Sequence, residues 1–321
     1  MPYALDECIY VINLRRSALL CAELEFLFME KVLLIMNPYA GKKQAKPYLA
    51  DILELFSKSG YHVTVEMTSQ RGDGITLAEQ YAGEYDKVIC IGGDGTLNEV
   101  INGILNGGHK TPIGYIPAGS TNDFASSLDI PKNVVKAAEK IINAKPVQLD
   151  VGKFNDRYFS YVTSFGAFTK TSFAAPQNLK NVLGRAAYIL EGIKDLSSIK
   201  PIHMKFEAEN AVYEDDYIFG AITNSTSVGG ILSFDPEVVS MSDGVFEVFL
   251  VKSPKNIVEL NECIHAIVAQ KYDCPSIVFA NASRGTFYCE DGIDWTVDGE
   301  QANASQVNEV VNVHNAITVL L

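Results

Sequence analysis

The sequence predicts two joined halves: a doubly wound α/β domain first, an antiparallel β domain after it, and a cleft between them. Three observations predict this. Apolar strand-like runs alternate with amphipathic helical stretches from residue 31 to about 145. From about 147 the period changes to short, alternating strands. The segments that follow the early strands are dense in Gly, Asn, Ser, Thr and Asp. Strand–helix alternation builds a parallel sheet, and ligands of such sheets lie outside the carboxyl ends of the strands.

Each element has its own local cause. "KVLLIM" reads as a buried strand, and "KPYLADILELFSKSG" as an amphipathic helix that stops at Gly60. "YHVTVEM" and "ITLAEQYAG" form the next strand and helix, then "KVICI" and "TLNEVINGILNGG", then "PIGYI" and "VVKAAEKIINA". Beyond them "VQLDVGKF", "RYFSYVTSFG", "IHMKFEA", "DDYIFGAITNS", "GVFEVFLVK", "SIVFANA", "GTFYCE", "DWTVDGE" and "ITVLL" read as strands of a sandwich. "FND" and "MSDG" are turn sequences. "NLKNVLGRAAYILEGIKDL" and "NIVELNECIHAIVAQ" are helical interruptions.

The expected domain limits are 29–150 for the α/β half and 151–304 for the β half, with residues of about 305–321 returning to the first half. Residues 1–28 carry early acidic residues and no A-x-A cleavage site, so they do not fit a signal peptide. Met29 precedes "EKVLLIMNP" and reads as an ordinary amino terminus. That makes 1–28 an upstream extension, with a membrane-surface helix as the alternative.

Composition narrows the function. The chain has 321 residues, is 47% hydrophobic and has a formal charge of −13. Attraction to a phosphate backbone needs clustered Lys and Arg, so nucleic acid is not an expected partner. No run of eighteen apolar residues exists, which excludes a spanning helix. The six cysteines form no CxxC pair and fit a reducing, cytoplasmic compartment. The five histidines have no metal-ligand spacing.

Three strand-end segments carry the chemistry. "NPYAGKK" (37–43) offers backbone amides and Lys42, a phosphate cradle without the GK[ST] ending of a P-loop. An ordinary βα turn is the plainer alternative. "GGDGT" (92–96) places glycines before a helix N-terminus, where a phosphate can approach the backbone. Asp94 beside a phosphate then implies a Mg²⁺ ion between them, or simply a helix cap. "PAGSTNDFA" brings Ser120 and a second carboxylate, Asp123, to the same sheet edge.

"NPYAGKK", "GGDGTLNEVINGI" and "GSTNDFA", in that order, resemble the soluble diacylglycerol-kinase-type lipid kinases, relatives of the sphingosine and ceramide kinases. The resemblance covers 31–321 and implies a Rossmann-like, NAD-kinase/diacylglycerol-kinase-like nucleotide domain. It implies ATP contacts at Asn37, Pro38, Tyr39, Ala40, Gly41, Lys42, Thr68, Gly93, Asp94, Gly95, Thr96, Leu97, Asn98, Glu99 and Ser120, with Asp94 and Asp123 on the Mg²⁺ network. "MSDGVFEVFLV" is similar to the family's turn for a structural Mg²⁺. Its ligands would be the Asp243 carboxylate and the carbonyls of Ser240 and Val245. "WTVDGE" resembles the family's DGE segment. Asp298 is the preferred base, Glu300 lies near the nucleotide, and Asp94 is the alternative base. Asp150 links site and metal and pairs with Lys42. Phe165 and Phe168 reshape the lipid cleft, and Trp295 packs.

The implied reaction transfers the γ-phosphate of ATP to a lipid hydroxyl, that of diacylglycerol before others. The implied setting is the cytoplasm with transient contact at the inner membrane face, and it leaves room for a homodimer. Two rivals stay open: a phosphotransferase of the NAD-kinase kind acting on a soluble substrate, and a nucleotide- or lipid-sensing protein without turnover.

Overall fold

The computed structural model describes residues 29–41, 45–166, 200–228, 232–234 and 239–321. The proposed extension 1–28, the helix expected at "NLKNVLGRAAYILEGIKDL", Lys42 and Phe168 lie outside them.

The first half is a parallel sheet in the order β2–β1–β3–β4, formed by β1 (Glu30–Met36), β2 (Tyr61–Met67), β3 (Lys87–Gly92) and β4 (Ile113–Pro117). Val32 to Met36 are all buried, as a strand covered on both faces requires. Helix α1 (Leu49–Lys58) buries Ile52 and Phe56, one turn apart. Helix α2 (Asp73–Tyr81) precedes β3, and α3 (Asp94–Asn106) follows it directly. Helices α4 (Asp123–Ser127) and α5 (Val134–Ile142) follow β4. The Asn133 side chain caps α5 by accepting from the Lys136 amide at 3.0 Å.

The second half contains β5 (Pro146–Phe154), β6 (Arg157–Phe159), β7 (Val162–Gly166), β8 (Ile202–Ala208), β9 (Val212–Thr223), β10 (Ser227–Val228), β11 (Leu232–Ser233), β12 (Phe246–Lys252), α6 (Ile257–Ala269), β13 (Ile277–Ala282), β14 (Arg284–Cys289), β15 (Trp295–Val297), β16 (Glu300–Ala302) and β17 (Val307–Leu320). All but the β10–β11 pair join the parallel strands in one fifteen-stranded network. Long β9 pairs antiparallel with β7, β8 and β12. Trp295, Phe165 and Phe287 are wholly buried in one core of this half, and Phe249 in another.

The last strand is longer than "ITVLL" suggests, and it joins the halves. Its upstream part pairs with β14, and its end lies between β5 and β4, with Val319 opposite both Val147 and Ile113. Between Val313 and Ile317 its register shifts. Asn315 there has φ 51°. Buried Asp150 braces this break: its Oδ1 accepts from His314 Nδ1 at 2.8 Å and from the Asn315 amide at 2.7 Å. Its Oδ2 accepts from the Gly244 amide at 2.6 Å. Asp150 thus binds β5, β17 and the 241–244 turn into one unit.

Candidate active site

The carboxyl ends of β1, β2 and β3 open into a cleft of about 440 Å³. Asn37, Tyr39, Ala40, Gly41, Thr68, Gly93, Gly95, Thr96, Glu99, Gly119 of "PAGSTNDFA" and Glu300 line it, as does a set that no motif singled out: Ser69, Gln70 and Arg71. The β1 loop is closed by Asn37, whose Oδ1 accepts from the Tyr39 amide at 2.9 Å while its Nδ2 donates to Thr96 Oγ1 at 3.2 Å. Asn37 therefore ties the first loop to the third.

The glycines of "GGDGT" differ in purpose. A Cβ at Gly92 would lie 2.5 Å from that of Thr96, and one at Gly119 would lie 2.5 Å from the Gly93 Cα. Real Cβ atoms do not come that close, so Gly93 and Gly119 let two loops pass backbone against backbone. Of the motif's three glycines, only Gly95 has open space, with Glu300 Oε1 nearest at 3.7 Å. Gly92 and Gly93 are thus needed for close packing, Gly93 lines the cleft as well, and Gly95 opens to it.

Four expected contacts are not among the cleft-lining residues. Leu97 is 1% exposed and lies in the core of the parallel half. Asn98 is 2% exposed and braces the second half, donating through Nδ2 to Asp298 Oδ2 at 2.7 Å and to the Tyr158 carbonyl at 2.9 Å. Pro38 and Ser120 are the other two.

Asp94 sits one residue from both Gly93 and Gly95. Its carboxylate accepts from the Asp123 and Phe124 amides at 3.1 and 3.3 Å, at the start of α4. Burial, then the neighbouring Asp123 charge, lifts the Asp94 carboxyl to about 7, against weaker lowering by those amides. The Asp298 charge adds to the rise. Asp123 is 3% exposed. The charges of Asp94, Asp123 and Asp298 all reach Tyr161, whose hydroxyl is held far above its ordinary pKa by burial first and by those charges after it; none of the three carboxylates is among the cleft-lining residues.

Asp298 begins the two-residue turn of the β15–β16 hairpin; it has φ 47° and Gly299 φ 80°, as a type I′ turn requires. Five groups donate to its carboxylate: the Ser160 amide (2.6 Å), Ser160 Oγ (2.8 Å) and Asn98 Nδ2 (2.7 Å) at Oδ2, and the Tyr161 (3.1 Å) and Val162 (3.0 Å) amides at Oδ1. Burial still pushes its carboxyl upward. A carboxylate has about four lone-pair sites, so none is left for a substrate proton. Glu300 is engaged as well: Oε2 accepts from Arg71 Nη2 at 2.7 Å and Arg157 Nη2 at 2.5 Å. Neither arginine stood out in the sequence. The only cue was a cation inside a strand-end loop, "TSQRGD", and another in a hairpin, "NDRYF".

Phe165 is wholly buried against Trp295 (ring centroids 4.8 Å) and Phe287 (6.1 Å), so it fills a core and does not shape a lipid cleft. Trp295 packs as expected. At the second expected metal position, Asp243 Oδ1 accepts from the Val245 amide at 3.2 Å, and the Val245 carbonyl accepts from Asn312 Nδ2 at 3.0 Å. Two residues on, Glu247 is fully buried with neither carboxylate oxygen hydrogen-bonded, and burial followed by the Asp243 charge raises it to about 8. A buried carboxylate left beside a second one is the situation a cation relieves. Among the described residues no three His, Cys, Asp or Glu side chains gather as a metal site, so a cation there would rest on these two carboxylates and main-chain carbonyls.

Glycine-bearing loops at the ends of a parallel sheet, with Arg71, Glu99 and Glu300 on the wall of the cleft they form, define an α/β protein whose site lies at the carboxyl ends of its parallel strands. The Diacylglycerol kinase catalytic domain pattern matches residues 31–154. A diacylglycerol kinase of Bacillus subtilis (strain 168) is 30% identical over 295 residues, 91% of this chain and 97% of that one. One from Staphylococcus aureus is 31% identical over 277 residues, 86% of this chain and 87% of that one. A crystal structure from Bacillus anthracis str. Sterne superposes with TM-score 0.77 at 26% identity, covering 91% of this chain and 95% of that one. The chain belongs to the diacylglycerol kinase family.

Proposed function

We propose that this chain transfers the γ-phosphate of ATP to the free hydroxyl of diacylglycerol, giving phosphatidic acid. Family membership supports the reaction class, a lipid kinase. The observation that carries the mechanism is the contrast between Asp94 and Asp298. Asp94 stands next to the cleft with its carboxyl lifted to about 7, near the pH at which a base works best. Asp298 is enclosed by five donors. Asp94 accepts the proton of the lipid hydroxyl as the phosphoryl group moves, and Asp298 locks the β15–β16 hairpin against α3. The preference for Asp298 as base, which the DGE resemblance suggested, therefore gives way to its alternative.

The nucleotide lies along the ends of β1–β3, against Gly41, Thr68, Gly95 and Thr96. Mg²⁺ is the proposed cation, held by Asp123 together with the phosphates themselves, an arrangement usual for this ion. When bound it neutralises charge on the transferring group. A second Mg²⁺ at Asp243 and the Ser240 and Val245 carbonyls is structural. The antiparallel half is read as a sandwich (151–304) that receives the lipid, with 305–321 part of the nucleotide half. The acceptor is a bilayer lipid, so turnover takes place in transient contact with the inner membrane face. Among the described residues no helix is long and apolar enough to cross a membrane.

The test is phosphoryl transfer from γ-labelled ATP to diacylglycerol in mixed micelles, with ceramide, sphingosine and NAD as competing acceptors. Labelled phosphatidic acid is expected. Label on NAD alone would replace this proposal with a soluble acceptor. ATP binding without transfer to any acceptor would leave a sensor.

A further inference from the structure

In the ion-pair trio of Arg71, Glu300 and Arg157, Arg157 is part-buried at 26% exposure, whereas Arg71 is the exposed member. Arg71 and Glu300 are 229 residues apart, and their side chains are 68% and 27% exposed. An exposed pair of this kind contributes little to stability. Yet the base of Arg71 is held with unusual care. Asp73 Oδ2 accepts from the Ser69 amide (2.7 Å), Ser69 Oγ (2.8 Å) and the Gln70 amide (3.0 Å). These bonds draw the Asp73 carboxyl down to about 2. Glu99, across the loop on α3, accepts from the Gly72 amide at 2.7 Å and the Gly74 amide at 3.0 Å. Five donors from a six-residue stretch thus close on two carboxylates, and Arg71 stands at its tip over the cleft.

Arg157, the first residue of β6, reaches Glu300 from behind the lining residues, and its Nη2 also lies 3.3 Å from Asn98 Oδ1. Both guanidiniums converge on one oxygen, Glu300 Oε2. At Glu300 two cations thus share one oxygen, while Glu99, the other anion of the cleft lining, is held by the Gly72 and Gly74 amides. The two guanidiniums also repel each other, and one oxygen cannot satisfy the planar forks of both. A phosphate chain offers several oxygens at the spacing such forks take in pairs.

Resting on the nucleotide-site reading above, we propose that Arg71 and Arg157 form a clamp for the terminal phosphates of ATP, held in position by Glu300 until the nucleotide arrives. The clamp distinguishes a triphosphate from a monophosphate. Glu99 and Asp73 are positioning residues, because they act through the loop that carries Arg71.

The test is calorimetric binding of ATP and AMP to the full chain and to R71A, R71K and R157A, with KM and kcat for lipid phosphorylation beside it. R71A is expected to lose about 10–100-fold in ATP affinity, the scale of a charge-assisted hydrogen bond, with AMP affinity unchanged. R71K should recover only part, since it keeps the charge and loses the fork. R157A should lose ATP affinity in the same direction. The loss in R71A should fall on KM more than on kcat. A melting temperature equal to the parent's in R71A establishes that the fold is intact. If R71A keeps the parent's ATP-to-AMP ratio, the clamp is overturned and the kinase proposal stands. If the parent itself binds no ATP, both fall.

Discussion

Asn98 Nδ2 lies 2.7 Å from Asp298 Oδ2, although 200 residues separate them in sequence. This contact joins the helix after β3 to the hairpin near the carboxyl end. Around it, every lone pair of Asp298 is taken, and the carboxylate becomes an anchor between the halves.

Asp298→Asn is therefore expected to destabilise the protein. The new amide group points a donor at donors already present, and unsatisfied buried donors cost about 1–3 kcal/mol each. Thermal melting should fall by several degrees, and turnover should fall with the folded fraction. If instead the variant melts like the parent and only turnover drops, by about 10²–10⁴-fold, Asp298 is the base after all.

Asp94→Asn should abolish phosphoryl transfer with the fold retained. The parent's kcat/KM should rise with pH through about 7, because only the ionised carboxylate accepts a proton. The stability effect has the opposite sign. A folded pKa raised from 3.8 to about 7 contributes stability at low pH that is lost as pH climbs from about 4 to 7. Asp94→Asn should flatten that part of the melting-against-pH curve. A flat kcat/KM between about pH 5.5 and 8 in the parent would rule out Asp94 as base.

Asp243→Ala should make melting less sensitive to Mg²⁺, since an ion bound only to the folded chain stabilises it by mass action. Above about pH 8, where its raised carboxyl ionises, Glu247→Gln removes a buried charge whose oxygens have no hydrogen-bond partner. It should raise the melting temperature in EDTA and narrow the gap between EDTA and Mg²⁺. An identical gap in both variants and parent would leave the 241–245 segment as a plain turn.

Gly119→Ala and Gly95→Ala should part company. At Gly119 the methyl meets the Gly93 Cα and Asn122 Oδ1 at 2.5 and 2.7 Å, and backbone must move. The expected result is a lower melting temperature together with weaker ATP binding. At Gly95 the methyl meets only Glu300 Oε1 at 3.7 Å, so stability should hold while ATP affinity falls. Equal melting losses in both would contradict the different purposes assigned to the two glycines.

The sequence by itself determined the elements and the family. Along 31–145 the strands follow from short continuous apolar runs and the helices from a period of 3.6, both of which a local window contains. The three strand-end motifs stand in one order along the chain, and that order alone pointed to the lipid kinases. Partners across the chain were not legible. Whether Asp298 faces a substrate or five donors depends on the β7–β15 register and on where β17 crosses between the halves. Arg71 and Glu300 meet only because β2 and the β15–β16 hairpin end on the same side of one sheet. Gly93 needs no side chain because Gly119 lies behind it. Local pattern sets what a segment becomes, because backbone geometry repeats every few residues. The tertiary structure decided what surrounds each carboxylate, because solvation and hydrogen bonding at a carboxylate are set by neighbours that the chain brings in from far away.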